Sequence, residues 1–335
     1  MAHEFETGFF VTEPAWHGLG TVLADPPTVA EALTLAGLDW KVELQRLTRP
    51  DGSEVPSRAV VRSSDQSLLG VVGPDYEPLQ NVDALSWFQP FVDSGSVRLE
   101  AAGSLREGKR VWVLGRVIGS AADVVKHDRV DQFILLANGH DGTLSIRCGF
   151  TAVRVVCQNT LTASLNDRAS KLLRIRHTKN AGEALTMVSK VIDVARGDFE
   201  ATAGQFRYLA SKGCDEATLR RYVREVFAIK PNRIIGVNAA GEDSAPDSAP
   251  VPEAADENMC SRIIAEVVRL SEAGRGTQVK GVKGTFWGAY NSVTEYITHL
   301  RGRDQNSRLD GQWFGQSAQL NARALKLATT YAMSA

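Results

Sequence analysis

Between residues 40 and 154 the apolar positions fall in short, often β-branched runs: WKVELQRL, SRAVVRSS, SLLGVVG, SVRLEAAGSL, KRVWVLGRV, DQFILLA and LSIRCGF. Runs of this length predict strands, because successive side chains of a strand point to opposite faces of a sheet. Three polar interruptions, SSDQ at 63–66, REGK at 106–109 and NGHDGT at 138–143, sit between runs as hairpin loops should. Strands joined by successive hairpins predict a mostly antiparallel sheet. Two helices are expected to cover it, over residues 28–36 and 81–93. Thr28 with Glu31 three positions on is a capping box for the first. Leu85, Phe88 and Val92 give the second its helical spacing.

The period changes from Gly182 onward. Leu185, Val188, Ile192, Ala195, Phe199, Phe206 and Leu209 fall on one stripe in steps of three and four, interrupted by Thr202. This predicts a long amphipathic helix and a candidate coiled-coil arm. Gly197 and Gly204 each cost such a helix about 1 kcal/mol relative to Ala, which allows a bend. Further helices are expected at 215–227, 259–271, 285–300 and 316–332, with Phe286, Tyr290, Val293, Ile297 and Leu300 as the apolar face of the third. Residues 151–165 read as a helix behind a strand at 144–150, with Val153, Val156, Thr160 and Leu161 facing the sheet and Arg154, Gln158 and Asn159 turned away.

Residues 238–258, NAAGEDSAPDSAPVPEAADEN, carry no basic residue and one large apolar one, Val251. Such a segment cannot bury enough surface to offset its chain entropy, so it reads as an acidic, flexible linker. The organisation expected is an α+β sheet domain at 1–180, a helical arm and helix at 181–237, the linker at 238–258, and a C-terminal helical region at 259–335.

Composition narrows the class. The 335 residues, 43% hydrophobic and 23% charged, suit a globular protein with room for two ordinary domains. Cys148, Cys157, Cys214 and Cys260 include no CxxC pair and read as reduced, buried thiols of a cytoplasmic protein. The start, MAHEFETGFF, carries acids rather than a basic, apolar leader, and no apolar run approaches the roughly 20 residues that a bilayer requires. Membrane and secretory classes are therefore set aside.

Charge changes the picture most. Between Arg147 and Lys179, seven cations (Arg147, Arg154, Arg168, Lys171, Arg174, Arg176, Lys179) face one carboxylate, Asp167, in a chain of net charge -1. Clustered positive charge in a near-neutral protein answers to a specific anion, and the commonest large one is a nucleic-acid backbone. These residues and His177 are the expected phosphate contacts. Trp16, in PAWHGLG, and Trp313, in a C-terminal run that also holds Lys280, Lys283, Arg301, Arg303, Arg308, Trp287 and Phe314, are expected stacking platforms for bases. Salt bridges to the acidic linker or to another subunit compete with this reading.

Other segments look like chemistry and fall short. GSLREGK at 103–109 has the spacing of a phosphate-binding loop, but Arg110 stands where Ser or Thr would hold magnesium, and strands flank it on both sides. It reads as a hairpin turn. His140 and Asp141 could pair as acid and base, or hold a metal with Cys148 and Cys157, yet the spacing matches no familiar zinc site. No metal and no cofactor is expected.

Several segments resemble, in order, one family. PAWHGLGT, GPDYEPLQN, AAGSLREGKRVWVLGR, NGHDGT, GFTAVRVVCQNTL, RIRHT, TFWGAYNSVTEYITH and WFG are similar to the phage/plasmid-like proteins of the domain of unknown function 932 family. The likeness covers nearly the whole chain apart from the acidic segment. It implies no established enzymatic activity and no catalytic residues, and a setting among phages, plasmids and other mobile elements in a bacterial host cell, near DNA replication or recombination. The function expected is therefore non-enzymatic DNA binding, with single-stranded DNA as one form. The alternative is an interaction or assembly module, a homo-oligomer built on the long helix. A nuclease ranks below both, since the sequence shows no carboxylate cluster for metal ions.

Overall fold

Short alternating runs separated by tight turns leave the chain little choice but to fold back on itself, and it does so repeatedly. The computed structural model describes residues 5–11, 20–154, 159–161, 173–183, 192–227, 253–301 and 316–335. The larger sheet contains β1 (Phe5–Val11), β2 (Thr21–Leu23), β6 (Val97–Leu105), β7 (Arg110–Val125), β8 (Asp128–Gly139), β9 (Ile146–Arg154), β10 (Asn159–Leu161) and β11 (Leu173–Ile175). Its order is β10-β9-β8-β7-β6-β1-β2, with β11 also paired to β9. Among the described residues of this sheet only β1 and β2 run parallel; the other pairs are antiparallel. A second sheet holds β3 (Val42–Thr48), β4 (Glu54–Arg62) and β5 (Leu68–Val72). The fold is α+β, and the expected hairpins at 63–66, 106–109 and 138–143 each join consecutive strands.

Side-chain alternation gives the large sheet two different faces. Val97, Leu99, Val111, Val113, Ile134, Leu136, Ile146 and Cys148 pack beneath α1 (Val29–Leu35), α2 (Asn81–Ser86), α3 (Gln89–Asp93) and the small sheet. Phe10, Ala101, Trp112, Leu114, Phe133, Leu135 and Ala137 form a separate cluster on the opposite face. The capping box is present: Thr28 Oγ1 accepts from the Glu31 N–H at 3.3 Å and a Glu31 carboxylate oxygen accepts from the Thr28 N–H at 2.9 Å. The single helix expected over 81–93 is two. Pro90 stands in the first turn of α3, and proline has no N–H to give and crowds the preceding turn, so the helix restarts there.

The helical part is α4 (Ile192–Ser211), α5 (Glu216–Val226), α6 (Glu253–Ala273), α7 (Phe286–Glu295) with a π-helical turn (Tyr296–Leu300), and α8 (Gln316–Met333). It builds on the far end of the β7–β8 hairpin, where Ala122, Val124, Val130 and Ala152 join Phe199, Phe206, Tyr222, Phe286, Trp287 and Tyr290 in one core. The stripe expected to form a coiled-coil arm is spent inside the chain from Phe199 to Leu209, and Thr202, its apparent interruption, is buried with it. Residues 184–191 lie outside the described residues. All ten residues of α7 are buried. Leu300, expected on its apolar stripe, is 40% exposed. The π turn explains the difference: Arg301 N–H reaches back five residues to Tyr296 O at 2.8 Å, which inserts one residue and shifts the helical phase.

One boundary and one element type are corrected. Helix α6 starts at Glu253, not at 259, so the acidic segment is helical over its last six residues, 253–258. Its Ala254 and Ala255 are strong helix formers, and acids suit a helix N-terminus. Residues 151–165 are not a helix. β9 continues to Arg154, and β10 returns antiparallel with Asn159 opposite Arg154 and Leu161 opposite Ala152. Thr151, Val153 and Thr160 are β-branched and favour this outcome. A short apolar run does not distinguish the two periods, and a contact far away in sequence decides it.

Candidate nucleic-acid interface

Strand register brings the cations together. Ala137 of β8 lies opposite Arg147 of β9, and Arg147 lies opposite Arg174 of β11. Trp112 of β7 stands opposite Ala137, so Trp112, Ala137, Arg147 and Arg174 form one row across the sheet. Arg110, two residues before Trp112 on β7, shares that face. Arg147 is partly buried, and its guanidinium pKa is lowered, first by burial and then by the charges of Arg174 and Arg110. Arg174, Arg176 and Lys179 are exposed. Like charges directly opposite on neighbouring strands disfavour each other.

The β6–β7 turn that delivers Arg110 is fixed by its own geometry. Arg106, Glu107 and Gly108 all have positive φ, at 56°, 57° and 80°. A Cβ at 108 would collide with the guanidinium of Arg62, so glycine is favoured there both by its φ and by the space. Arg62 is in turn held by the Glu6 carboxylate in two bonds of 2.7 and 2.8 Å and stacks over Trp40 at 4.5 Å. The REGK segment is thus a hairpin turn, and its contribution is position: it places Lys109 and Arg110 at the basic end of the sheet.

The other expected contacts separate. Arg154 is fully buried and is corrected from a surface cation to a core one. Its Nε and Nη2 donate to the two carboxylate oxygens of Asp128 at 2.6 and 2.7 Å, and Nη2 also donates to Gly276 O at 3.2 Å. Trp287 Nε1 donates to the same Asp128 at 2.7 Å, and the Arg154 guanidinium sits 5.6 Å from the indole centre. This knot ties the sheet to α7. His177 is 9% exposed and donates from Nε2 to Leu144 O at 3.2 Å, so it too is an internal group. Arg168, Lys171, Trp16 and Trp313 lie outside the described residues, as do Arg303, Arg308 and Phe314. Of the remaining C-terminal run, Trp287 is core, Lys283 pairs with Glu272, and Arg301 donates to Ser317 Oγ at 3.2 Å.

His140 and Asp141 do not act as a pair. His140 is fully buried, with Nε2 3.0 Å from Asn81 Oδ1 and its ring edge-on to Trp40 at 5.5 Å. Burial, and next the charge of His177, push its pKa down to about 3. The Asp141 carboxylate accepts instead from Thr143 N and Oγ1 at 2.9 and 2.8 Å within its own turn. Burial pushes the Cys148 thiol pKa up, and Cys157 lies outside the described residues. Among the described residues no group of three or more His, Cys, Asp or Glu side chains is arranged to hold a metal ion. No helix among them is long and apolar enough to cross a membrane.

Sequence reasoning missed Arg110. A signal existed: counting the hairpin registers from REGK and NGHDGT puts Arg110 opposite Gly139 and Arg147 opposite Ala137. The fold and this face define an α+β protein with an antiparallel sheet, a helical region built on one end and an arginine row at the other. The family model described as Domain of unknown function (DUF932) matches residues 68–324. The chain belongs to that family. No curated protein and no solved structure matches it.

Proposed function

We propose that the protein is a non-enzymatic DNA-binding protein that serves the replication or recombination of a mobile element. The observation that supports this is the cross-strand row in which Arg147 faces Arg174, with Arg110 close enough to act on the same charge. Arginine suits the task because its planar fork meets phosphate oxygens in two bonds. Arg176 and Lys179, exposed just beyond β11, extend the track. A single row across the sheet suits one phosphate backbone, so single-stranded DNA is the preferred form.

Fluorescence anisotropy with single- and double-stranded oligonucleotides, repeated across salt, tests the reading. Affinity should fall steeply with salt, with a log–log slope of about -2 to -3 for three or four phosphates on a single strand. Arg147→Ala with Arg174→Ala should flatten that slope by about one unit or more. Absence of binding at low salt overturns the proposal.

A further inference from the structure

Strand β11 is three residues long, and its apolar side holds it weakly: Leu173 is 47% exposed and Ile175 only partly buried. On its other side Arg174 faces Arg147, a like charge directly across the ladder. So short a strand has few ladder bonds with which to resist that repulsion. Just beyond it the chain is gripped at one residue. His177 Nε2 donates to Leu144 O at 3.2 Å, in the turn between β8 and β9. The His177 carbonyl accepts from Glu77 N at 3.1 Å. The Tyr76 ring lies on the imidazole, 4.7 Å between centres and 30° between planes. Tyr76 itself is pinned, its hydroxyl donating to Gly139 O at 3.1 Å. One side chain therefore joins three segments: the loop after β5, the β8–β9 turn and the end of β11.

We propose that His177, seated on Tyr76, is the positioning residue of the arginine row: it holds β11 on β9 so that Arg174 and Arg147 present one charged track to a phosphodiester backbone. The ligand in this statement rests on the DNA-binding reading; the hold on β11 does not. Because the histidine clasp and a bridging phosphate stabilise the same arrangement of strands, the two are coupled. An anion across Arg147 and Arg174 tightens β11, and the clasp raises affinity for the anion without touching it.

Two measurements on the full chain test this. The first is hydrogen exchange of the β11 amides. The second is anisotropy with a fluorescent oligothymidylate across salt. In His177→Ala the β11 amides exchange at least about tenfold faster while α4 is unchanged. Affinity drops about fivefold or more, and the salt slope loses about one unit. His177→Gln, whose side-chain N–H can still reach Leu144 O, recovers part of each effect. In an Arg174→Ala background, His177→Ala weakens binding by clearly less than it does in the wild type, because most of its effect passes through that arginine. Unchanged exchange of β11 in His177→Ala overturns the proposal, as does an additive loss in the double variant. If the wild type binds no oligothymidylate while β11 responds as stated, the DNA reading falls and the hold on β11 stands.

Discussion

Arg147 and Arg154 lie on one strand, seven residues apart, and do opposite things. Arg154 is enclosed, with a carboxylate, an indole and backbone carbonyls satisfying its guanidinium. Arg147 is half-buried and faces other cations. Residue type and local charge density are the same for both. An odd spacing on a strand is what separates them, since it sends one to the face that reaches the helical core and the other to the face of Trp112. A cluster of basic residues in a sequence is therefore a mixture until strand parity sorts it.

The sharpest way to break this contrast is at Asp128. Asp128→Ala leaves a buried guanidinium without its counter-charge and should cost about 3–5 kcal/mol, read as a lower denaturant midpoint in urea. Arg174→Ala, on β11 opposite the other end of β9, should leave the midpoint unchanged or slightly raised, because it removes a like-charge opposition. Comparable losses at both positions would show that the two ends are not different in kind.

A smaller effect comes from acid. The folded-state pKa of His140 is depressed to about 3, against about 6.5 for an unfolded histidine. Below pH 6.5 the unfolded chain binds a proton that the folded chain does not, so stability falls as pH falls. The slope from this one group is about 1.4 kcal/mol per pH unit between those two values. Urea midpoints at pH 7 and pH 5 should differ accordingly, and His140→Asn should flatten the dependence. The least effect is expected at the first helix: Thr28→Ala removes the cap oxygen and should cost about 1 kcal/mol by the same measurement.

The parts legible in the sequence were the local ones. The capping box at Thr28 and Glu31 needs residues three apart, and the turns at 63–66, 106–109 and 138–143 announce themselves by their own composition. The end of β9 was not legible, because its conformation satisfies Asp128, 26 residues earlier, and Trp287, well over a hundred residues later. Arg110 was hidden for the same reason: its neighbour Arg147 is brought near by two intervening strand pairings. Leu300 fell off its predicted stripe because nothing in YITHL announces a π turn.

That π turn carries a consequence for the architecture beyond one exposed leucine. An inserted residue in a helix is an offset of about 100° in rotation and 1.5 Å in rise. Arg301, the residue after the turn, is aimed by that offset, and it meets Ser317 in the first turn of α8. The buried helix α7 thus works as an indexed shaft: one residue more or fewer in 296–300 would turn Arg301 away from Ser317.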